Sequence, residues 1–279
     1  MAAIKVAAMV GCPDLEAPTL ASYSGDLRAA FHKLAALGYD GVELMTKKPS
    51  RLDGAEIRRL LEEHHLALTG LCSGHIFGED GLGLVGPELQ VNPAALYRLK
   101  ELIDFIAEFF GPGKMVNIGR SRGVGDPARP VESLAAYAQA FQELADYAQP
   151  RQVRLVLEPI TQTEVNFIFS TQDGLRMVEQ VGRPNFGLML DTYHMHHQDA
   201  DLYASFRQAL EAGKCWHIHF SDSNRCWPGS GDLNYERIVQ ALNENGYQGY
   251  VSTEIRPWPD PDTSAASSIA SIRRYIPAT

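Results

Sequence analysis

Eight short apolar runs alternate with longer amphipathic stretches along this 279-residue chain, and that alternation restricts the fold more than any other feature. The pattern predicts strands at Lys5–Gly11, Gly41–Met45, Ala67–Ser73, Lys114–Gly119, Arg154–Ile160, Phe186–Asp191, Cys215–Ser221 and Tyr250–Ile255. Helices are predicted between them, at Asp26–Leu37, Asp53–His64, Pro93–Phe110, Pro130–Ala148, Thr171–Val181, Asp201–Ala212, Asn234–Asn245 and Thr263–Tyr275. Strands that are apolar along their whole length suit a parallel sheet covered on both faces. Gly38, Gly182, Gly213 and Gly246 stand where a helix ends before the next strand, the position of a left-handed cap. A βα unit takes about 35 residues, and eight of them close a barrel. Doubly wound sheets share the alternation. No linker, charge block or low-complexity segment divides the chain. The expectation is an α/β fold, a (β/α)8 TIM barrel forming one domain over residues 1–279.

Composition narrows the function. Apolar residues make up 45% and charged residues 21%, with a net charge of −9. An acidic surface repels phosphate backbones, which weighs against nucleic acid and against an anionic membrane as partners. Cys12, Cys72, Cys215 and Cys226 are scattered with no CxxC pair, so neither a zinc knuckle nor a disulfide frame is suggested. The opening MAAIKVAAMVGCPD reads as a strand rather than a signal peptide. No stretch approaches the roughly 18 apolar residues of a membrane span. A cytoplasmic protein is expected.

The chemistry concentrates at the ends of the last four predicted strands, in Glu158 (RLVLEPI), Asp191 (GLMLDTYH), His219 (WHIHFSD) and Glu254 (YVSTEIRP). They stand 33, 28 and 35 residues apart, each about one βα unit, which places them together at the C-terminal rim where barrel active sites are built. Each follows an apolar run, where an unpaired carboxylate is costly. Three carboxylates and one imidazole converging there require a cation between them. Mostly oxygen ligation suits Mn2+, or Mg2+ or Co2+. Taken singly, a strand-end acid is as readily a helix cap or a salt-bridge partner. His217 shares a face with His219 one layer deeper and is read as a hydrogen-bonded core residue. His194, Arg225, Asn224 and Glu164 surround the set and suit the hydroxyl and carbonyl oxygens of a polyol. Trp216, Trp227, Phe77 and Tyr193 are candidate apolar walls, and His196 and His197 are read as loop residues. Arg120 and Arg122, flanked by glycines after the fourth strand, form a candidate clamp for a substrate anion.

LEPI, LMLDTYHM, HIHFSDSNRCWPGSGDLNY and GYVSTEIRP occur in order, with SGDLRAAFHKLAALGYDGVEL and GEDGLGL in the first half. Through these motifs nearly the whole chain resembles the xylose-isomerase-like superfamily of sugar isomerases and epimerases, closest to the ketose 3-epimerase branch that includes epimerases of keto sugar acids such as 5-keto-gluconate. The resemblance implies that Glu158, Asp191, His219 and Glu254 bind one metal and that Glu158 and Glu254 move protons on opposite faces of the substrate. It implies that His194, Glu164 and Arg225 hold the substrate's carbonyl end, and that the chain forms a homodimer or homotetramer. The abasic-site endonucleases of the superfamily carry an Asp-x-His pair after the seventh strand. Here Asp232-Leu233-Asn234 lacks the histidine, and strand four ends in Asn117.

A carbon acid beside a carbonyl is weak. A divalent cation chelating the carbonyl and its neighbouring hydroxyl stabilises the enediolate left when the proton departs, and a tuned carboxylate then suffices as base. Two carboxylates on opposite faces give epimerisation of a keto-sugar; one face serving both steps gives aldose–ketose isomerisation, as in hydroxypyruvate isomerases. A dehydratase on the same scaffold and a non-catalytic sugar-binding barrel are the other readings.

Overall fold

A computed structural model describes residues 4–278. The strands in chain order are β1 (Lys5–Gly11), β2 (Tyr23–Ser24), β3 (Gly41–Met45), β4 (Ala67–Cys72), β5 (Met115–Ile118), β6 (Arg154–Leu157), β7 (Phe186–Asp191), β8 (Cys215–Phe220) and β9 (Tyr250–Thr253). From β3 to β9 each pairs in parallel with the next, and β1 pairs with both β3 and β9, which closes the ring. The two-residue β2 is an addition on β1, leaving eight barrel strands. This is the expected (β/α)8 TIM barrel.

The outer layer is α1 (Leu27–Ala36), α2 (Gly54–Glu63), α3 (Gly74–Gly78), α4 (Pro93–Phe110), α5 (Pro130–Ala148), α6 (Thr171–Val181), α7 (Thr192–Gln198), α8 (Leu202–Glu211), α9 (Tyr235–Glu244) and α10 (Pro261–Ile272). Local chemistry sets most ends. Ser170 and Asp173 form a reciprocal capping box on α6, and Gly182 ends that helix at φ +61°, a left-handed conformation that favours glycine. The last helix starts at Pro261 rather than Thr263, because Asp260 caps it and proline suits its first turn. Two short helices, α3 and α7, were not expected; each fills a βα loop at the C-terminal rim. The helix α7 takes in His196 and His197, so they are helical rather than loop residues. Among the described residues no helix is long and apolar enough to cross a membrane.

Candidate active site

The rim carries the four expected ligands on four adjacent strands. Asp191 ends β7 and His219 lies one residue from the end of β8, while Glu158 and Glu254 are the first residues past β6 and β9. Parallel pairing sets Asp191 beside His219. One ligand atom from each residue lies within 4.8 Å of all the others, and all four side chains are buried. The neighbouring backbone makes room: a Cβ on Gly119 would lie 2.7 Å from Glu158 Oε2.

The donor set fits a divalent cation. Glu158 Oε1 and His219 Nδ1 are both buried without a hydrogen-bond partner, 3.8 Å apart, and His219 Nδ1 lies 3.5 Å from Glu254 Oε2. Buried polar atoms are rarely orphaned, and a shared cation satisfies both. Burial pushes the Glu158 carboxyl up to about 8, with the carboxylates of Glu254 and Asp191 adding to it against His219 and Asn117. Asp191 rises to about 6, again first through burial, against the opposing pull of Arg225. For Glu254 burial pushes upward too, but Arg225 and His219 outweigh it and hold the carboxyl well below the usual range. His219 is desolvated, yet Glu43 and Glu254 raise it well above an ordinary imidazole.

Arg225 brings a guanidinium to this cluster. Its guanidinium bonds Asp191 Oδ2 and, at 2.5 Å, Glu254 Oε2, and it lies 4.6 Å from the centre of the Tyr193 ring. Its backbone is left-handed, φ +62°, which costs a non-glycine residue energy and persists only where its surroundings fix it. They do so here: Arg225 N donates to Asp222 O, Arg256 N donates to Arg225 O, and the Asp222 carboxylate accepts from the amides of Ser223, Gly229 and Leu233.

A cavity opens over the cluster and is lined by Glu158, Glu254, His194, Arg225, Glu164 and Arg120. His194 accepts from Thr161 N at Nδ1, so Nε2 carries the proton and lies 3.9 Å from Glu158 Oε1. Burial, and then Arg225, keep this imidazole well below its ordinary value; it is neutral and can donate one hydrogen bond to a substrate oxygen.

Several expectations are corrected by the packing. Arg122 does not reach the cavity. It is fully buried and donates to the carbonyls of Gly119, Glu158, Phe167 and Ile168, so it braces the loops after β5 and β6 instead of gripping an anion. Arg120 alone of the pair lines the cavity, with Nε 3.9 Å from Glu164 Oε2. Asn224 is spent within its own loop, donating to Ser230 O and accepting from Cys226 N. Of the proposed aromatic walls, Trp216 donates to Gly213 O and Trp227 lines a different cavity. The apolar wall consists of Leu20, Met45, Cys72 and Ile160. His217 is hydrogen-bonded in the core as expected, to Glu43 and Ser252.

Glu43 and Asn117 were missed as site residues. Asn117 donates to Glu158 Oε2 at 3.2 Å. Glu43 is a lone acid inside the apolar run GVELM, and that misfit was its only signal in the sequence.

The profile of the xylose isomerase-like TIM barrel family matches residues 31–275. The chain belongs to this family. An L-ribulose 3-epimerase from Mesorhizobium japonicum is 34% identical over 235 residues, 84% of this chain and 76% of the relative. An L-ribulose 3-epimerase from Methylomonas sp. is 28% identical over 242 residues, 83% and 81% of the two chains. The crystal structure of a D-allulose 3-epimerase from Methylomonas sp. superposes with a TM-score of 0.76 at 22% identity, covering 99% of this chain and 100% of that one.

In this xylose isomerase-like barrel the raised Glu158 carboxyl links stability to pH, and to any cation the donor cluster takes up. Its folded value, about 8, lies above the ordinary 4.5, so its contribution to stability is complete below 4.5 and is lost as pH rises through 8. A cation needs the carboxylate and displaces the proton. The Tm gain on adding excess Mn2+ to chelated protein should therefore be larger near pH 8.5 than near pH 6, roughly either side of the folded value. A gain that is equal at both, or larger at the lower pH, would contradict this linkage.

Proposed function

We propose that this chain is a divalent-metal-dependent sugar epimerase of the 3-epimerase type, acting on a ketose or keto sugar acid. The observation that carries the reading is that Glu158 and Glu254 line the cavity and belong, with Asp191 and His219, to a four-residue donor cluster whose ligand atoms lie within 4.8 Å of one another. The ketose 3-epimerases among its relatives support the same chemistry. Glu158, Asp191, His219 and Glu254 would hold the cation; Mn2+ is the first choice, with Co2+ and Mg2+ as alternatives. When bound, the cation supplies Lewis-acid stabilisation of negative charge growing on the substrate's carbonyl oxygen.

The chain's own residues supply the proton transfers. One of the two glutamates takes the proton from the carbon beside the carbonyl, and the bonding pair moves toward the carbonyl oxygen. The other returns a proton to the same carbon from the opposite face, which inverts the centre. His194 Nε2–H and the Arg225 guanidinium donate to substrate oxygens, Glu164 accepts from a hydroxyl, and Leu20, Met45 and Ile160 exclude water. The resemblance adds a homodimer or homotetramer to this reading, and the composition adds a cytoplasmic location.

The test is an NMR screen of ketoses and keto sugar acids in D2O with Mn2+. The expected result is one solvent deuterium at a single carbon, together with the epimer. Transfer to the neighbouring carbon would assign an aldose–ketose isomerase, and a new conjugated chromophore would assign a dehydratase. No exchange and no product with any sugar would leave a non-catalytic binding barrel.

Arg120 sets the charge preference in the same screen. With Arg122 spent on carbonyls, it is the remaining candidate of the expected clamp for a substrate acid group. Arg120→Ala should lower kcat/KM about tenfold, or about 1.4 kcal/mol, on a keto sugar acid and leave the neutral ketose nearly unchanged. Equal losses on both, or none on either, would mean that Arg120 does not read substrate charge.

A further inference from the structure

Behind the cluster, on the side away from the cavity, Glu43 of β3 reaches across the barrel interior to two histidines of β8. Its Oε2 lies 2.7 Å from His217 Nε2 and 3.0 Å from His219 Nε2. Ser252 Oγ of β9 lies 3.0 Å from His217 Nε2. Glu43, His217 and His219 are at most 2% exposed, so water does not compete for these bonds.

A carboxylate only accepts hydrogen bonds, so the ring nitrogen facing it must carry the proton. For His219 that nitrogen is Nε2. With Nε2 committed to Glu43, Nδ1, the orphaned atom that faces Glu158 and Glu254, is the nitrogen left to give its lone pair to a bound cation. An imidazole attached at β8 can flip about its side-chain torsions, and either nitrogen can bind a metal. Only one tautomer and one ring orientation present a lone pair to the cluster. Three different strands supply the groups that fix it: Glu43 from β3, His217 from β8 and Ser252 from β9.

We infer that Glu43 is a positioning residue for the proposed metal site: its buried carboxylate, shared between His217 and His219, holds His219 with Nε2 protonated and Nδ1 turned to the metal. The inference rests on the metal reading above and adds a residue that touches neither metal nor substrate. The same three side chains also bring donor atoms together as a cation site would. Two contacts at 2.7 and 3.0 Å onto a single oxygen are accounted for by two N–H donors, with no ion between them.

Mn2+ binding by calorimetry to chelated protein, wild type against Glu43→Gln, tests this. Glutamine keeps the volume and an acceptor oxygen but removes the charge. Its Mn2+ Kd should rise about 10–100-fold, the scale found when the outer partner of a ligating histidine is altered, with Tm in chelator near the wild-type value. A wild-type Kd in Glu43→Gln would overturn the inference. The metal reading fails separately, if wild type shows no saturable Mn2+ binding or if Asp191→Asn leaves it intact. Should Glu43→Gln not fold, 15N-histidine NMR of the wild-type protein decides. On adding Zn2+, His219 Nδ1 should shift while Nε2 keeps its proton; metal at Nε2 would overturn the inference and favour a cation at Glu43.

Discussion

Glu254→Gln should lower turnover at least about a hundredfold, the usual scale of general acid–base catalysis, and Glu158→Gln should do the same. Each glutamine keeps the shape of the side chain and removes its proton-carrying oxygen. Both residues also belong to the metal cluster, so bound Mn2+ must be measured in each variant under saturating metal. The two positions are not equivalent in the metal-free protein. Glu158 is pushed up to about 8, mainly by burial, while Glu254 is held low because Arg225 and His219 outweigh its burial. Carboxyls pushed apart in this way are the pattern of an acid and a base within one site. With the metal retained, Glu254→Gln should lose epimerisation yet still allow Glu158 to exchange deuterium into recovered substrate. A metal-loaded Glu254→Gln enzyme of full activity would end the two-base scheme.

The largest expected effect on stability is at Arg225. Arg225→Met keeps an apolar stem of similar length but leaves the buried carboxylates of Asp191 and Glu254 without their guanidinium. Breaking one side of a buried ion pair costs about 3–5 kcal/mol, far more than the pair's net worth against an apolar replacement. Denaturant unfolding in the presence of chelator should show a loss of that size. The loss should grow as pH rises, because an orphaned carboxyl finds relief only by taking up a proton. Excess Mn2+ should recover part of it by returning positive charge to the same oxygens. A variant within about 1 kcal/mol of wild type in chelator would mean that the cluster tolerates its own repulsion, and that Arg225 serves the substrate alone.

The barrel was legible because its signals are local. Each strand is a short apolar run, and the positive-φ glycines at positions 38, 182, 213 and 246 mark helix ends by a backbone requirement that other residues meet poorly. The donor cluster was legible for a related reason. The repeat length of a βα unit turns sequence spacing into rim position, so Glu158, Asp191, His219 and Glu254 were brought together by counting alone. Asp191 also shows why a single strand-end acid is ambiguous. Its Oδ1 caps α7 through Tyr193 N while its Oδ2 bonds Arg225, so the cap reading and the cluster reading both hold.

What tertiary structure decided was the use of each long or shared side chain. Arg120 and Arg122 are two residues apart in one glycine-flanked loop, and nothing local separates them. The packing of the β5 and β6 loops turns one to the cavity and surrounds the other with carbonyls. Glu43 lies 174 residues before His217, and no spacing rule connects them; barrel closure alone sets β3 across from β8. Arg225 was expected at the substrate, but only the folded loop, with its left-handed residue and three amides on Asp222, aims the guanidinium between two carboxylates. Periodicity and repeat length are properties of the chain itself, so the sequence determined the fold and the donor set. Hydrogen-bond partners from distant strands exist only once the barrel has closed, and these decided which side chains pair with one another and which face the cavity.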